Sequence, residues 1–424
     1  MAAASTRRII AAGAIGNVLE WYDFAVYGYF AAAIGRTFFP SEDKVAQVLA
    51  AFGIFAVGFL MRPVGGAVIG NIGDRLGRRA ALTFSVAAMA IPTFLVGVLP
   101  GYQTLGLAAP ILLTLLRMIQ GLSVGGEYTT SIVFMVEHAK PGGRGLIGAM
   151  GCCGAVGGIL AGSATGAVLA SVMSEAALEN WGWRVPFMLG LVVGLAGFFL
   201  RRGIHEETKV KKAVAASFLA TVRNHRPLLL RLAALSVFNS VGFYLMFVYI
   251  VSWLQLVDGI APARALGINT ISMALLLPLM LATAWLSDRI GRRPVLMGAT
   301  AFAFVAAWPL FWLMHNPDPT LVLLGQLGFV LSVGAFVGCQ PALMVETVPT
   351  EVRCTVIALG YNVTLGVIGG LSPLVATWLV DRTGNDYSPA FMIMVAAAVS
   401  FLALLSFRET FRAPLDARPA GTMA

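Results

Sequence analysis

Two carboxylates lie close together in an apolar stretch near the start of the chain, GNVLEWYDFAVYGYF at 16–30. On an α-helix, Glu20, Asp23 and Tyr27 fall within about 60° of one another, and Asn17 lies about 60° from Glu20. Burial favours the protonated form of a carboxyl group, and a nearby cation favours the ionised form. The pair predicts a proton carrier, with Glu20 and Asp23 as equal candidates. The alternative is a structural pair that hydrogen-bonds neighbouring helices.

Arg117 supplies the opposite charge, within the apolar run ILLTLLRMIQG at 111–121. An arginine keeps its charge when buried and can hold a carboxylate with two parallel N–H groups. Arg117 is therefore predicted either to anchor an anionic ligand or to pair with Glu20 or Asp23. One residue can hold both roles in turn.

The amino-acid composition indicates whether these charged residues lie in water or in lipid. Of the 424 residues, 58% are hydrophobic and 12% are charged, whereas a soluble domain carries about 25% charged residues. A helix satisfies its own backbone hydrogen bonds in lipid, and about 20 apolar residues span a bilayer. The fold class is therefore predicted to be an all-α membrane protein with about twelve transmembrane helices. The candidate spans lie near 13–35, 47–72, 81–99, 106–135, 147–173, 184–202, 228–256, 266–287, 295–314, 320–345, 354–380 and 388–407.

The 29 lysines and arginines are distributed unevenly along these spans. With the N-terminus in the cytoplasm, 22 lie in cytoplasmic tails and loops, 5 in the opposite loops, and Arg62 and Arg117 inside spans. This positive-inside pattern predicts that both termini are cytoplasmic. It also attributes the net charge of +9 to membrane topology, so no nucleic-acid partner is expected.

A repeat divides the chain in two. GDRLGRRAAL at 73–82 recurs as SDRIGRRPVL at 287–296, and MVEHAKPGGRG at 135–145 is echoed by MVETVPTEVRC at 344–354. Parallel halves related by an axis along the membrane normal are known in transporters. The predicted organisation comprises two pseudo-symmetric six-helix bundles at 1–202 and 228–424. A basic cytoplasmic linker at 203–227 forms either an amphipathic surface helix or a solvated loop.

These motifs resemble the Major Facilitator Superfamily, whose signature is G-x-x-x-D-R-x-G-R-[RK]. The matching positions are Gly70, Asp74, Arg75, Gly77, Arg78 and Arg79, with a partial second copy at Asp288, Arg289, Gly291, Arg292 and Arg293. The R-x-x-Q-G pattern of span 4 is present as Arg117, Gln120 and Gly121. The segments NVLEWYDF, GFLMRPVGG, GLSVGGEYTTS and NWGWRVPF are similar to the metabolite:proton symporter family. That family includes transporters of citrate, α-ketoglutarate, other organic acids, and proline or glycine betaine.

The resemblance implies that the acid-and-base loops close the cytoplasmic side through ion pairs between helices. Glu127 is predicted either as a further proton-coupling site beside Glu20 and Asp23 or as a gate residue. The predicted cytoplasmic gate is Asp74, Arg75, Arg78, Arg79, Glu137, Arg144, Asp288, Arg289, Arg292 and Arg293.

Polar and aromatic residues elsewhere in the spans are predicted to contact the substrate. Arg62 either binds substrate or extends its charge to the lipid headgroups. Aromatic residues of FNSVGFYLMFVYIVSW at 238–253 would suit a methylene backbone or a quaternary ammonium group, or else face lipid. The predicted substrate-binding set is Arg117, Asn17, Tyr27, Arg62, Gln120, Asn239, Tyr244, Gln340 and Asn362.

The predicted function is proton-coupled symport that imports a small organic carboxylate, such as a di- or tricarboxylate, across the bacterial inner membrane by alternating access. The alternative is proton symport of a zwitterionic compatible solute of the proline or betaine type, whose carboxylate would still meet an arginine. The proton is the coupling ion, and no metal or other cofactor is expected. The chain carries no Cys/His metal spacing, nucleophile elbow or phosphate loop, so it is not expected to be an enzyme. It is predicted to act as a monomer.

Overall fold

The computed structural model describes residues 6–65, 68–69, 72, 78–123, 127–140, 142–202 and 222–415. Within these ranges every regular element is helical. The long helices are α1 (Thr6–Tyr29), α2 (Lys44–Gly65), α3 (Arg78–Val98), α4 (Ala108–Ser123), α5 (Glu127–Glu137), α6 (Arg144–Val172), α7 (Val185–Arg202), α8 (Arg226–Leu256), α9 (Pro262–Ile290), α10 (Arg292–Met314), α11 (Pro319–Thr347), α12 (Arg353–Thr383) and α13 (Ser388–Leu405).

Helices α4 and α5 occupy one predicted span, so the thirteen long helices correspond to twelve spans. Eight helices of the described part are long and apolar enough to cross a membrane, and Thr83–Val98 and Ala108–Ser123 are shorter apolar helices. The prediction of an all-α membrane protein with twelve helices is confirmed. Most of the predicted linker, at 203–221, lies outside the described residues.

Local chemistry sets where several helices begin. Asp43 precedes α2 and accepts a hydrogen bond from the Val45 N–H, and Asp318 does the same for Thr320 at the start of α11. Such caps satisfy backbone donors that the first turn leaves unpaired. In the second bundle the connections between successive helices have at most five residues, so successive helices there run in opposite directions. Ion-pairing residues of distant helices therefore meet at one end of the molecule.

We call that end the terminal face, defined by Arg144, Asp288 and Glu346, and the other end the opposite face. Helices α1–α7 form one bundle and α8–α13 the other. The bundles meet where α6 packs on α9 and where α2 packs on α12, and α1 also reaches α8.

Glycines let helices approach closely inside the first bundle. Gly158 of α6 lies against the backbone of α1, and a Cβ atom there would sit 2.3 Å from the Val18 carbonyl oxygen. The neighbouring Gly157 has nothing within 4 Å of its Cβ position. Small residues at such contacts are a common basis of helix association in membranes.

Gly158→Ala is expected to lower the melting temperature of the detergent-solubilised protein by about 5 °C, because overpacking costs about 1–3 kcal/mol. Gly157→Ala is the matched control and should leave the melting temperature unchanged. Equal melting temperatures for the two variants would contradict the predicted contact.

Two helices contain a π-helical turn, Leu245–Tyr249 in α8 and Leu365–Gly369 in α12. A π turn interrupts the regular pattern of backbone hydrogen bonds and can leave carbonyl groups for other donors. In α8 the Tyr29 hydroxyl donates to the Phe247 carbonyl at 2.9 Å, and Gln326 Nε2 donates to the Met246 carbonyl at 3.0 Å. Since Tyr29 belongs to α1, the first of these bonds joins the two bundles.

Candidate functional site

Asp23 and Arg117 form an ion pair within the first bundle. Arg117 Nη1 lies 2.7 Å from Asp23 Oδ2, and neither side chain has any exposed surface. Gln120 Nε2 donates to Asp23 Oδ1 at 2.9 Å and to the Thr93 hydroxyl at 2.9 Å. The carboxylate of α1 is thus held by donors from α4, and α3 contributes the threonine.

Aromatic rings enclose the Arg117 side of this pair. The guanidinium carbon lies 4.8 Å from the centroid of the Phe24 ring and 4.3 Å from that of Tyr27. Arg117 Nη1 also donates to Gln120 Oε1 at 2.9 Å, whereas Nε and Nη2 have no hydrogen-bond partner among the described protein atoms. Asp23 is therefore the counter-charge of Arg117, and protonation of Asp23 would leave a buried cation without compensation.

A second ion pair joins Glu20 of α1 to Arg62 of α2. Arg62 Nη2 lies 2.7 Å from Glu20 Oε1, with 3% of the Arg62 side chain and 11% of the Glu20 side chain exposed. The Arg62 guanidinium carbon lies 4.6 Å from the Phe59 ring centroid and 5.4 Å from that of Trp21. This pair is thus bordered by aromatic rings and lies next to Trp21.

Several buried polar atoms near the Glu20–Arg62 pair have no hydrogen-bond partner among the described protein atoms. They are Arg62 Nε, Trp21 Nε1, the Tyr244 hydroxyl and Asn17 Oδ1. The Trp21 and Tyr244 rings are neighbours, with centroids 6.4 Å apart. Buried donors without partners are rare and costly, at about 1–3 kcal/mol each. Two of these atoms, Trp21 Nε1 and the Tyr244 hydroxyl, are donors beside the Arg62 cation, an arrangement that suits a carboxylate.

A small cavity of about 20 Å³ lies where the two bundles meet. Its walls come from α1, α5, α6, α8, α11 and α12, so both bundles contribute to it. The volume is enough for a water molecule and too small for an organic solute. A solute can therefore enter only when the bundles move relative to each other. The lining residues are Trp21, Tyr128, Cys152, Ala155, Val156, Asn239, Phe243, Val337, Tyr361 and Leu365.

Ion pairs between the bundles close the terminal face. Glu137 of α5 lies 2.5 Å from Arg353 of α12, and Arg144 of α6 lies 3.8 Å from Glu346 of α11. The carboxylate of Asp288 in α9 accepts hydrogen bonds from the first N–H groups of α6, at Gly145 (2.8 Å) and Leu146 (3.0 Å). An acid at a helix N-terminus is favourable because those N–H groups lack helical partners.

Arg292 and the C-terminal segment complete this layer. Arg292 is fully buried and binds Asp288 at 2.8 Å and Glu346 at 3.1 Å. The Glu409 carboxylate accepts the backbone N–H groups of Arg292 and Arg293 at 2.8 and 2.9 Å. Two arginines donate to carbonyl groups of the same segment, Arg144 to Ala413 and Arg353 to Leu415.

The opposite face is also closed by contacts between the bundles. Besides the Tyr29–Phe247 bond, the Ser163 hydroxyl of α6 lies 2.8 Å from the Thr270 hydroxyl of α9. A Cβ atom on Gly28 of α1 would sit 2.3 Å from a methyl group of Val248 in α8. Contacts between the bundles are thus present at both faces, and the cavity between them is small.

Asp288→Asn is expected to speed the alkylation of Cys152 by a water-soluble maleimide about tenfold, because weaker charged hydrogen bonds favour opening of the terminal face. Cys152 lines the cavity and serves as the reporter once the other cysteines, Cys153, Cys339 and Cys354, are replaced by serine. Glu179→Gln is the control, because the Arg36–Glu179 pair is exposed and lies within the first bundle. An unchanged alkylation rate in a folded Asp288→Asn variant would contradict the gating role.

A titratable pair also lies on the opposite face, outside the spans. Asp258 follows α8 and contacts the His315 ring after α10. Burial raises the pKa of Asp258, and the adjacent His315 partly offsets the rise in that pKa. Both residues belong to the second bundle, so the pair ties α8 to α10 and does not join the bundles.

The predicted substrate-binding residues fall into separate places. Asn239 lines the cavity and donates to the Tyr361 hydroxyl at 3.2 Å. Tyr244 and Arg62 border Trp21, whereas Tyr27, Gln120 and Arg117 surround Asp23 and are not among the cavity-lining residues. Gln340 donates to the Ser236 hydroxyl at 2.9 Å. Asn17 is buried, and Asn362 is partly buried in α12.

The predicted gate residues are only partly described. Glu137, Arg144, Asp288 and Arg292 belong to the terminal layer, and Arg289 is exposed over the Trp285 ring at 3.7 Å. Arg293 contributes its backbone N–H. Asp74 and Arg75 lie outside the described residues, as do the side chains of Arg78, Arg79 and Glu127. The functional roles of all these residues stay predictions.

Of the ten residues that line the cavity, only Asn239 was in the predicted substrate-binding set, and the absent residues with a polar side-chain atom are Trp21, Tyr128, Cys152 and Tyr361. Three of them directly adjoin a residue that was predicted: Trp21 follows Glu20, Tyr128 follows Glu127 and Tyr361 precedes Asn362. Adjacent residues on a helix point about 100° apart. The side chains that line the cavity are therefore rotated by about 100° from the neighbouring side chains that were predicted.

Two six-helix bundles around a central cavity with buried ion pairs define a membrane transport protein. The sequence profile of the Major Facilitator Superfamily matches residues 13–370. The chain therefore belongs to the Major Facilitator Superfamily.

The sequence relatives are transporters that match nearly the whole chain. The chain is 35% identical over 433 residues to the glycine betaine/proline/ectoine/pipecolic acid transporter OusA of Dickeya dadantii (strain 3937), covering 98% of this chain and 86% of the relative. It is 34% identical over 433 residues to the proline/betaine transporter of Escherichia coli (strain K12), with the same coverage. It is 33% identical over 418 residues to a putative proline/betaine transporter of Staphylococcus aureus (strain COL), covering 95% and 88%.

Solved structures show the same fold. The crystal structure of a D-xylose-proton symporter superposes with a TM-score of 0.76 at 19% identity, covering 96% of this chain and 99% of that chain. The partially occluded inward-open conformation of the xylose transporter XylE from E. coli gives a TM-score of 0.73 at 18% identity, covering 95% and 98%.

The predicted import of an organic carboxylate is wrong. The relatives at 33–35% identity over nearly the full chain carry the names of proline and betaine transporters. The physical reason lies in the pairing of charges. Arg117 and Arg62 suggested an anion site, but each is neutralised by a carboxylate of α1. Two paired arginines leave no net positive charge to retain a di- or tricarboxylate.

Proposed function

We propose that the protein is a proton-coupled symporter of a small zwitterionic compatible solute of the proline or betaine type. The observation that carries the proposal is the neutral pairing of Glu20 with Arg62 beside the central cavity. A zwitterion has no net charge, so its binding beside such a pair leaves the net charge of the site unchanged. The names of the relatives support the same class of substrate.

In this proposal the two ion pairs have different tasks. The Glu20–Arg62 pair borders Trp21. Arg62 receives the carboxylate of the solute together with the Trp21 and Tyr244 donors, which have no partner among the described protein atoms. The Asp23–Arg117 pair lies away from the cavity lining and has no exposed surface. It holds the coupling proton on Asp23, and Arg117 favours release of that proton by stabilising the carboxylate.

Alternating access follows from the two layers of contacts between the bundles. The terminal layer of Glu137, Arg353 and Asp288 separates when that face opens, and the Tyr29–Phe247 contact separates when the other face opens. Both bundles of one chain complete the cavity, which supports function as a monomer. The bundles are proposed to span 1–202 and 228–424.

The terminal face is proposed to be cytoplasmic and the membrane to be the bacterial inner membrane. The excess of lysine and arginine in the tails and loops on that side supports this orientation. The source organisms of the relatives are bacteria, which supports the choice of membrane. A proton gradient directed inward would then drive import of the solute.

Uptake into proteoliposomes tests the proposal. Labelled glycine betaine and proline should accumulate above the outside concentration only when an inward proton gradient is imposed. Succinate and citrate serve as negative controls, and a protonophore should abolish the accumulation. Equal uptake with and without the gradient would refute proton symport, and uptake of carboxylates alone would refute the zwitterionic substrate.

A further inference from the structure

We propose that four aromatic rings at the central cavity form a cage that selects solutes with an N-methylated cation over solutes whose cation carries N–H groups. The rings are those of Trp21, Tyr128, Phe243 and Tyr361, and we call them the aromatic cage. The inference rests on the proposed function, because it names which zwitterions that site prefers.

The rings of the aromatic cage are neighbours around one cavity. The Trp21 centroid lies 5.9 Å from that of Tyr128 and 6.4 Å from that of Phe243, and Tyr128 stacks on Tyr361 at 5.7 Å. All four side chains line the cavity. They come from α1, α5, α8 and α12, so two rings belong to each bundle. Both bundles therefore contribute to the cage, which must widen from the observed volume of about 20 Å³ to hold a solute.

Aromatic faces attract a cation without accepting a directed hydrogen bond. The negative ring face favours a cation within about 6 Å of the centroid, and quaternary ammonium groups are held in this way. A methylated ammonium group is also apolar on its surface, so the rings bury its methyl groups favourably. Such a cation has no N–H donor that the site must satisfy.

Apart from the Trp21 Nε1 donor, the polar side chains that line the cavity are engaged with one another. Asn239 donates to the Tyr361 hydroxyl at 3.2 Å, and the Tyr128 hydroxyl lies 3.1 Å from Cys152 Sγ. Among the described residues that line the cavity, none carries a carboxylate. An ammonium group with two or three N–H donors would therefore lose water without gaining strong acceptors, which is a cost that a trimethylammonium group avoids.

Trp21 links the aromatic cage to the carboxylate end of the solute. Its ring lines the cavity and lies 5.4 Å from the Arg62 guanidinium carbon. Its Nε1 donor, like the Tyr244 hydroxyl, is buried without a partner among the described protein atoms. One side chain thus borders both subsites, which favours solutes with a short spacer between ammonium and carboxylate.

A methylation series tests the aromatic cage directly. Glycine, sarcosine, dimethylglycine and glycine betaine share one spacer and one carboxylate and differ only in the number of N-methyl groups. Half-saturating concentrations are measured by competition against uptake of labelled glycine betaine, and binding is measured independently by quenching of tryptophan fluorescence in the purified protein. For the unaltered protein we expect apparent affinity to rise with each methyl group.

Phe243→Leu removes one ring while keeping an apolar side chain. We expect it to raise the half-saturating concentration of glycine betaine about tenfold and that of glycine less than about threefold. Apparent affinity would then depend less on the number of N-methyl groups, which we call flattening of the series. Phe243→Tyr retains the ring and should keep the preference. Phe336→Leu is the matched control, because Phe336 is a fully buried ring that packs on Phe238 outside the cavity lining.

Substitutions at a second position, Tyr361, keep the test informative if the Phe243→Leu variant does not fold. Tyr361→Leu should flatten the series in the same way, and Tyr361→Phe should not. Loss of affinity by the same factor for every member of the series would overturn the cage while leaving zwitterion transport intact, and so would equal flattening by Phe336→Leu. If the unaltered protein takes up neither glycine betaine nor proline, the proposed function fails, and the cage fails with it.

Discussion

Asp23→Asn is expected to abolish proton-driven accumulation of solute while preserving exchange of labelled for unlabelled solute across the membrane. Asparagine resembles a carboxyl group that stays neutral, so the proton can no longer be taken up and released during the cycle. Asp23 is fully buried and bound by Arg117 and Gln120, so its charge state is set by the protein and not by bulk water. Counterflow in proteoliposomes without a gradient measures the exchange, and uptake with a gradient measures the coupling.

The same substitution also leaves Arg117 as a buried charge without a counter-ion. Removal of one partner from a buried ion pair costs about 3–5 kcal/mol, so the single variant is expected to melt at a lower temperature. The double variant Asp23→Asn, Arg117→Gln removes both charges and should recover most of that loss. It should still exchange solute and still fail to accumulate it, which separates coupling from folding.

A variant of Glu20, compared with Asp23→Asn and with a control variant, decides which acid carries the proton. Glu20→Gln is expected to weaken solute binding, because Glu20 positions Arg62, and to keep some dependence on the gradient. Glu179→Gln, at the exposed Arg36–Glu179 pair, should behave like the unaltered protein. Normal accumulation by Asp23→Asn would contradict our assignment, and loss of accumulation with intact exchange in Glu20→Gln would transfer the role to Glu20.

The helices were predictable because their cause is local. Runs of about 20 apolar residues must form helices in lipid whatever surrounds them, and the repeated motifs at 73–82 and 287–296 revealed the two halves. The position of Glu20 and Asp23 less than one turn apart on one helix also followed from residue spacing. Which acid meets which arginine did not follow, because Arg62 and Arg117 lie 42 and 94 residues away from their partners.

The error about the substrate has the same origin. A sequence shows Arg62 and Arg117 as two cations in apolar spans, and an unpaired buried cation favours an anionic ligand. In the folded chain each cation is matched by a carboxylate, so the net charge of the site is zero. The carboxylates were visible in the sequence, but the sum of charges at one place depends on packing between helices.

The aromatic walls were harder still to predict. Tyr128 and Tyr361 stack across the interface between the bundles, although they are far apart in the chain and each lies in a helix rich in apolar residues. Their contact requires the relative position of the two bundles, which no local periodicity contains. The backbone carbonyl groups that the π turn of α8 offers to Tyr29 and Gln326 also depend on tertiary structure, because a π turn has no reliable sequence signature.

The second large effect is expected at Arg62. Arg62→Lys should raise the half-saturating concentration of glycine betaine and of proline alike, by about 10–100-fold, because lysine is a point charge that cannot hold Glu20 and a solute carboxylate with one planar fork. It also loses the contact between the guanidinium group and the Phe59 ring at 4.6 Å. The measurement is the concentration dependence of gradient-driven uptake for both solutes.

The comparison of solutes distinguishes this effect from that of the aromatic cage. Every zwitterion carries a carboxylate, so Arg62→Lys should weaken all members of the glycine methylation series by a similar factor, whereas Phe243→Leu should act mainly on the methylated members. Arg36→Lys is the control, because Arg36 is exposed on the opposite face and pairs with Glu179 at 2.5 Å. Unchanged half-saturation in a folded Arg62→Lys variant would show that the carboxylate of the solute binds elsewhere. In that case the Trp21 and Tyr244 donors beside Arg62, which lack a partner within the described part of the chain, would serve the structure of the bundle interface and not the ligand.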